Sequence, residues 1–557
     1  MGSLGQSAYD YDVLIIGAGF SGVCSLHHIR ERFPHWRVRV VEAGPNVGGT
    51  WYCNRYPGAR VDTESLTYQY SWDKELLNEW HWKEAYSTQP EVLKYIERVC
   101  EKHDLYKDIQ LNTRINSARW NQTTHSWVFT DELGDQYRTR FFVSCVGFLS
   151  QPTTPLLPGI EDFRGQSFHT SRWPKDFVTS RDLAGKKVGV VGTGATGIQV
   201  ITEISKEPSI ESLTVFQRTA NWSGPLRNTV ISPEQMAKHR QEYDAIFGQC
   251  AETPSGFLYK PDPRKSSEVT DDERRALWDK VWAEPGFKKW LGVFSDTYTD
   301  REANRLYSDY IAAKIRERIR DPDVADSLIP KNHGFGMRRV PLESGYFEVY
   351  NQDNVHLVDM RKTPIEKVTE TGIITVDGKH HELDILIFAT GFNAITGSFS
   401  TIDFHAKNDR PLLGYSDTAE GSRAIWVDHK PKTFLGILAP DMPNTFLVLG
   451  PHQPFGNGTR SLENAVNVVC GLLQYMNDNN YTFVEPTQEA VEEWGKHVVD
   501  CSKGSLINEI DSWMTGVNTN VKGKQERSVA RYTGNVVAYR KRCEECQRTG
   551  WKELNFA

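Results

Sequence analysis

Two glycine-rich loops, each directly after a short apolar strand, restrict the fold of this chain more than any other feature. Gly17-Ala-Gly-Phe-Ser-Gly22 follows residues 11–16, and Gly192-Thr-Gly-Ala-Thr-Gly197 follows residues 187–191. A helical pattern and a second strand come after each loop. This is the order of a βαβ unit, whose glycines permit a tight turn and bring a pyrophosphate to the helix N-terminus. We therefore predict an α/β fold with two Rossmann-like dinucleotide-binding domains.

The residue that ends the second strand of each unit indicates which dinucleotide is bound. The first unit ends at Glu42, whose carboxylate can accept hydrogen bonds from ribose hydroxyls and disfavours a 2′-phosphate. The second ends at Gln217-Arg218-Thr219, where a guanidinium can clamp a 2′-phosphate. An ordinary surface arginine is the alternative interpretation of Arg218. The pattern predicts FAD at the first site and NADP at the second.

The residues of these two units that we predict to bind cofactor are the loop positions and the strand ends. They are Gly17, Gly19, Gly22, Glu42, Gly192, Thr193, Gly194, Thr196, Gly197, Arg218 and Thr219.

Composition excludes several other classes of protein. The formal net charge of −7 argues against nucleic acid as a partner, and the apolar strands are too short to span a membrane. Nine cysteines without a pattern of pairs predict reduced thiols in a cytoplasmic protein. Cys543 and Cys546 form a CxxC, but no second pair supports a zinc site. We predict no metal.

Two further motifs carry a resemblance to a known family. Residues 163–174 fit the pattern F-x-G-x-x-x-H-x-x-x-W-P, and residues 48–62 fit G-G-x-W-x-x-x-x-Y-P-G-x-x-x-D. Both motifs resemble those of the single-chain Baeyer–Villiger monooxygenases that depend on FAD and NADPH. The related flavin-containing monooxygenases usually have Tyr or Phe in place of Trp173 and lack Pro174.

The resemblance assigns roles to residues beyond the glycine loops. It implies that Arg339 is the catalytic arginine over the flavin and that Asp62 is its counter-charge. Arg338 would help to hold the NADP phosphate, and Trp513 would reach the bound NADP from a C-terminal lid. The residues implied to lie at or near the flavin are Thr50, Trp51, Asp62 and Tyr68.

The resemblance also implies the reaction. One oxygen atom of O2 would be inserted beside a ketone carbonyl to give an ester or lactone, through a C4a-peroxyflavin and with NADPH as the reductant. A guanidinium, protonated at any working pH, would stabilise the anionic peroxide. The alternatives are an N- or S-oxygenating flavin-containing monooxygenase, which would not require Arg339, and a regulatory flavoprotein that releases peroxide. The expected partners are the ketone and O2, and the expected oligomeric state is a monomer.

The order of motifs predicts a divided domain organisation. Residues 1–150 would form the first segment of the FAD domain and 151–225 the first segment of the NADP domain, including the motif at 163–174. Charged helical periodicity indicates a helical insertion at 226–330. The NADP domain would continue over 331–388, and residues 389–557 would complete the FAD domain and form the C-terminal lid.

Three smaller features bear on the site. His169 in the linker motif is interpreted as a residue that ties the linker during domain movement, in preference to a general base. By resemblance, the loop at 450–458 borders the substrate pocket. Phe148 stands where some relatives have Gln, so if it lines this pocket, the pocket is more apolar here.

Overall fold

A mixed sheet organises the first of the two predicted dinucleotide units. The computed structural model describes residues 9–557, so residues 1–8 of the predicted FAD domain lie outside the described residues. Tyr11–Ile16 is almost wholly apolar and takes a central position, with Val13 paired to Val38 on one side and to Phe141 on the other. In spatial order the strands are Asp403–His405, Ile115–Asn121, Ser126–Asp131, Gln136–Ser144, Tyr11–Ile16, Val38–Val41 and Ile109–Gln110, and Thr445–Leu447 also pairs with Gln136–Ser144.

A second sheet, entirely parallel, organises the other unit. Its strands are short, and the three inner ones are buried, as expected where helices cover both faces. In spatial order they are Val355–Asp359, Ser212–Gln217, Lys187–Val191, Ile385–Phe388 and Gln166–His169. The chain thus leaves the first sheet after residue 144, builds the second sheet, and returns to the first sheet after residue 388. Two parallel βαβ cores in one chain confirm the predicted fold class.

Smaller strand pairs and the helices complete the fold. An antiparallel sheet is formed by Ile365–Thr369, Gly372–Thr375 and His380–Glu382. The two-stranded pairs are Gly224–Pro225 with Leu342–Glu343, Leu413–Gly414 with Trp426–Val427, and Val484–Pro486 with Leu554–Phe556. The helices are Phe20–Arg32, Thr50–Cys53, Lys74–Glu79, Gln89–Lys102, Thr179–Asp182, Ala195–Ile204, Pro233–Glu252, Asp271–Ala283, Lys288–Leu291, Arg301–Arg316, Pro322–Leu328, Gly458–Asp478, Gln488–Ser502 and Val536–Arg548. Within the described residues, no helix combines the length and apolar character needed to cross a membrane.

One segment, residues 48–62, contacts both units. Trp51 and Val61 pack in the core of the first sheet, whereas Tyr56 packs in the core of the second. The Tyr56 hydroxyl donates to Gln199 Oε1 at 2.8 Å, and Gln199 Nε2 donates to the carbonyl of Arg60 at 3.2 Å. Gln199 lies in helix Ala195–Ile204, which begins at the second glycine loop. The segment therefore bridges the two nucleotide units.

Candidate active site

A single large cavity brings both glycine loops together. Its volume is about 2080 Å³, and residues of the 17–22 loop, the 48–62 segment, the 192–197 loop and the C-terminal region around Trp513 line its wall. Pockets for one small ligand usually measure about 300–1,000 Å³. The cavity is thus large enough for two dinucleotides and a substrate.

The first glycine loop makes the sharp turn that the sequence predicts. Gly17 has φ of +103°, and a Cβ atom there would lie 2.4 Å from the carbonyl oxygen of Cys145. A Cβ atom on Gly22 would lie 1.8 Å from the Gly17 carbonyl oxygen. Gly19 caps helix Phe20–Arg32, so the helix N-terminus faces the cavity. The backbone can therefore approach a pyrophosphate closely.

Glu42 is fixed at the edge of this first loop. Its carboxylate accepts hydrogen bonds from the backbone N–H groups of Ala18 and Gly44, both at 2.7 Å. Burial raises the pKa of Glu42, and the two backbone hydrogen bonds oppose that shift. Each carboxylate oxygen retains a lone pair for a ribose hydroxyl. The geometry fits a dinucleotide without a 2′-phosphate.

The second glycine loop repeats this geometry but ends in a cluster of cations. Gly192 has φ of +108°, and the Thr193 hydroxyl donates to the Thr219 carbonyl at 3.1 Å. Arg218 is exposed, and its Nη1 donates to Thr519 Oγ1 at 3.4 Å. Arg338 Nη2 donates to the Asp511 carbonyl at 2.8 Å. Among the described residues, neither guanidinium forms an ion pair with a carboxylate.

The proximity of these two cations is itself informative. Burial lowers the pKa of Arg338, and repulsion from Arg218 lowers it further. Two converging guanidinium groups without a carboxylate partner are suited to a phosphate, which can accept paired hydrogen bonds from each. The sequence-predicted residues Gly192, Thr193, Gly194, Thr196, Arg218, Thr219 and Arg338 all line this part of the cavity.

The residues implied to lie near the flavin also meet at the cavity wall. Trp51 Nε1 donates to the Tyr68 hydroxyl at 3.0 Å, and the two rings pack edge to face at 5.6 Å. Burial raises the pKa of Tyr68 to about 12, so its phenol stays protonated at neutral pH. Thr50 is exposed to the cavity at the start of helix Thr50–Cys53.

Asp62 and Arg339, which are remote in sequence, form an ion pair in the same wall. Arg339 Nη2 lies 2.8 Å from Asp62 Oδ2; the Asp62 side chain is 3% exposed and that of Arg339 is 33% exposed. Burial raises the pKa of Asp62, and Arg339 opposes the shift. The Arg339 guanidinium also packs over the Phe287 ring at 5.6 Å. Asp62 Oδ1 and Arg339 Nη1 are buried without a hydrogen-bond partner in the described structure. The pair is thus a fixed cation whose Nη1 amino group has no partner among the described residues.

His169 is positioned to join chain segments, not to transfer protons. Its Nδ1 accepts from the backbone N–H of Ser171 at 3.1 Å, so its Nε2 is the donor to the Gly391 carbonyl at 3.0 Å. Burial lowers the pKa of His169 to about 4, which keeps the ring neutral. The neighbouring Trp173 packs on Phe168 at 4.8 Å. These contacts support the interpretation of His169 as a tie between the linker and the segment after the second sheet.

Apolar rings and the C-terminal region line another part of the cavity. Phe148 lines the cavity and stacks on Phe455 of the 450–458 loop, with 4.8 Å between the ring centres. Phe148 therefore makes this part of the cavity wall apolar. Trp513 packs against a small buried cluster formed by Ala394, Ile395 and Ala530. Arg531, which the sequence analysis did not single out, lines the cavity beside these residues. No motif marks it, since a lone arginine in an irregular segment carries no sequence signal.

Comparison with known proteins places this site in a family. Residues 11–226 match the family model described as flavin-binding monooxygenase-like. The 2-oxo-Delta(3)-4,5,5-trimethylcyclopentenylacetyl-CoA monooxygenase of Pseudomonas putida is 41% identical over 98% of this chain and 98% of its own length. Phenazine N-monooxygenase PhzNO1 of Lysobacter antibioticus is 35% identical over 96% of this chain and 95% of its own.

A solved structure agrees with the sequence relatives. Cyclohexanone monooxygenase from Rhodococcus sp. Phi1 bound to NADP+ superposes with a TM-score of 0.92 and 36% identity, covering 98% of this chain and 99% of that one. Both glycine loops and the Asp62–Arg339 pair lie in a fold that is shared over nearly the whole chain. The protein belongs to the Baeyer–Villiger monooxygenases, within the flavin-binding monooxygenase-like family.

Proposed function

We propose that this enzyme converts a ketone and O2 into an ester or lactone and water, with oxidation of NADPH to NADP+. The observation that carries the proposal is the buried Asp62–Arg339 pair, whose Arg339 Nη1 has no partner in the described structure. A protein that binds nucleotides without oxygenating a substrate has no need for a fixed cation with an unpartnered amino group in its cavity wall. Such a cation stabilises negative charge that develops during the reaction.

The cavity fits FAD and NADP(H) at separate sites. The first loop and Glu42 would hold FAD, and the second loop with Arg218, Thr219 and Arg338 would hold NADP(H). When bound, NADPH supplies the hydride, and the reduced flavin supplies the electrons that activate O2. At Gly22 and Gly197 each helix packs so closely on the backbone of its own glycine loop that no side chain would fit.

The residues at the reacting centre would act through charge and position. Arg339 would place its positive charge beside the oxygen atoms on which negative charge develops, including the ketone carbonyl oxygen. Asp62 holds the guanidinium in place through Nη2. Trp51 and Tyr68 would form a rigid wall beside the flavin, and Trp513 would close the cavity near NADP(H).

The predicted domain organisation is retained as part of this proposal. The FAD domain would comprise residues 1–150 and 389–557, and the NADP domain residues 151–225 and 331–388. The helical insertion would occupy 226–330, and three of the longer helices, Pro233–Glu252, Asp271–Ala283 and Arg301–Arg316, fall within it. Nine unpaired cysteines support a reduced, cytoplasmic protein, and we propose a monomer.

Labelling with 18O2 tests the proposed reaction. The purified flavoprotein is incubated with NADPH, 18O2 and a panel of ketones, with a thioether and a phenazine in parallel, and products are identified by mass spectrometry. One labelled oxygen beside a former ketone carbonyl supports the proposal. NADPH consumption that yields hydrogen peroxide and no labelled product from any ketone would contradict it.

A second candidate is N-oxygenation of an aromatic heterocycle. The 35% identity to a phenazine N-monooxygenase over nearly the full chain favours it specifically. That reaction transfers oxygen to a nucleophilic nitrogen and does not depend on stabilising a carbonyl adduct. A labelled N-oxide without any labelled ester would establish this candidate in place of ketone oxidation.

Coenzyme selection provides a separate prediction. We expect Arg218→Ala to raise the KM for NADPH by roughly 10- to 100-fold, because a charge-assisted contact with the 2′-phosphate is lost. The kinetic constants with NADH, which has no 2′-phosphate, should stay close to those of the wild type. Steady-state oxidation of each coenzyme measures both. Equal losses with NADPH and NADH would show that Arg218 does not select the phosphate.

A further inference from the structure

Arg531 is a cation in the cavity wall without a counter-charge. Its Nε is buried, and Arg531 makes no hydrogen bond and no ion pair with any described residue. Burial lowers the pKa of Arg531 to about 10, so it remains a cation at neutral pH. A buried charge is stable only when an opposite charge or hydrogen-bonding groups compensate it. Residues 9–557 do not supply that compensation, which leaves it to a ligand.

The acidic residues that line the cavity already have hydrogen-bond or ion-pair partners other than Arg531. The cavity-lining carboxylates belong to Glu42, Asp62 and Asp511. Glu42 accepts from two backbone N–H groups, Asp62 pairs with Arg339, and Asp511 Oδ1 lies 2.6 Å from Arg527 Nε. None of them forms an ion pair with Arg531 within the described part of the chain. The positive charge of Arg531 is thus available to a bound anion.

The backbone fixes Arg531 against the loop that the resemblance assigns to the substrate pocket. The N–H of His452 donates to the Ala530 carbonyl at 3.0 Å, and the N–H of Tyr532 donates to the Gln453 carbonyl at 3.2 Å. The flanking residues Ala530 and Tyr532 are buried in cores. Arg531, between these two buried residues, lines the cavity.

Thr533 continues the same polar face. It lines the cavity, and its hydroxyl is buried without a hydrogen-bond partner in the described structure. Aromatic side chains also line the cavity, with Phe148 stacked on Phe455. A guanidinium and a hydroxyl two residues apart in the cavity wall can together bind the two oxygen atoms of a carboxylate.

We propose that the substrate is a ketone that carries a carboxylate group, and that Arg531, assisted by Thr533, binds this carboxylate. This inference rests on the proposed ketone oxidation and specifies its substrate class. The other anions that the cavity would receive are the pyrophosphates of the two dinucleotides and the 2′-phosphate of NADP(H). The glycine loops would hold the pyrophosphates, and Arg218 and Arg338 would hold the 2′-phosphate.

Matched pairs of acids and esters test the proposal. Wild-type enzyme is assayed with levulinate and with 4-oxocyclohexanecarboxylate, each against its methyl ester, and kcat/KM is measured from product formation. We expect each acid to be favoured over its ester. In Arg531→Leu, kcat/KM for the preferred acid should fall by roughly 10- to 100-fold, as expected for loss of a charged hydrogen bond. The ester and the KM for NADPH should change little.

Controls separate a binding effect from a folding effect or a general effect of charge. Lys522→Leu removes a positive charge from the same C-terminal region, but Lys522 is exposed and pairs with Asp417 at 2.9 Å. It should leave the preference for acids unchanged. Arg531→Lys keeps the charge and should retain part of that preference. Flavin content and thermal unfolding verify that each variant is folded, and Arg531→Gln replaces the leucine variant if that one is not.

Three outcomes would overturn the inference. They are oxidation of acids and esters with equal kcat/KM by the wild type, an equal loss for acid and ester in Arg531→Leu, and a raised KM for NADPH in that variant. The last would assign Arg531 to the coenzyme. Each differs from failure of the proposed function, in which neither acid nor ester yields a labelled ester or lactone product.

Discussion

Replacement of Arg339 by alanine should abolish ester formation while leaving reduction of the flavin by NADPH intact. Removing one preorganised donor to a developing anion typically lowers turnover by roughly 10²–10³-fold, and Arg339 supplies a full charge as well as a donor. Hydride transfer from NADPH does not need this charge. Oxygen consumption should continue and appear as hydrogen peroxide.

Rapid-mixing absorbance spectroscopy under anaerobic conditions measures flavin reduction, and mass spectrometry measures the ester. Arg339→Lys is the matched control, because lysine keeps the positive charge but lacks the planar guanidinium that pairs with Asp62. It should recover a part of the lost activity. Ester formation at the wild-type rate in Arg339→Ala would refute the role assigned to this residue, and a parallel loss of flavin reduction would show a structural role instead.

Replacement of Asp62 by alanine should reduce both stability and activity. Breaking a buried ion pair by removing one partner usually destabilises a protein by about 3–5 kcal/mol, and we expect about 3 kcal/mol because Arg339 is partly exposed to solvent. The freed guanidinium should also lose its fixed position, so ester formation should fall by roughly 100-fold. Thermal unfolding and product analysis measure the two effects.

The double variant Asp62→Ala/Arg339→Ala distinguishes an unpaired charge from lost packing. If the unpaired charge dominates, the double variant should be more stable than Asp62→Ala alone. Asp244→Ala serves as the control, because Asp244 forms an exposed pair with Lys74 at 2.6 Å and such pairs contribute little. Unfolding of Asp62→Ala at the wild-type temperature would argue against the buried pair as a stabilising element.

The parts of the site that sequence reasoning reached were those with local signals. The turns at Gly17 and Gly192 require positive φ next to a strand, and only a glycine loop of this spacing satisfies that requirement. Glu42 and Arg218 were predicted from their position at strand ends, a place that the βαβ geometry fixes. Their contacts with Ala18 and Thr519 could not be predicted, because they depend on the conformation of loops in the folded chain.

The pair of Asp62 and Arg339 came from resemblance and not from the residues themselves. The two residues lie far apart in sequence, and nothing local to either specifies the other. Arg531 was missed for a related reason: its significance lies in the absence of a partner in a cavity wall, which exists only after the chain has folded. Local sequence patterns therefore predict the nucleotide loops. The positions of Asp62, Arg339 and Arg531 in the cavity wall depend on tertiary contacts.

The bridging segment at 48–62 also has a consequence for hybrids made from related enzymes. Tyr56 belongs to the chain before residue 150, but its hydroxyl donates to Gln199, which lies in the other nucleotide unit. A hybrid that exchanges only the second unit would join a Tyr56 and a Gln199 of different ancestry, in the segment that also carries Asp62. Recombination between relatives should therefore succeed more often when residues 48–62 are inherited together with helix Ala195–Ile204.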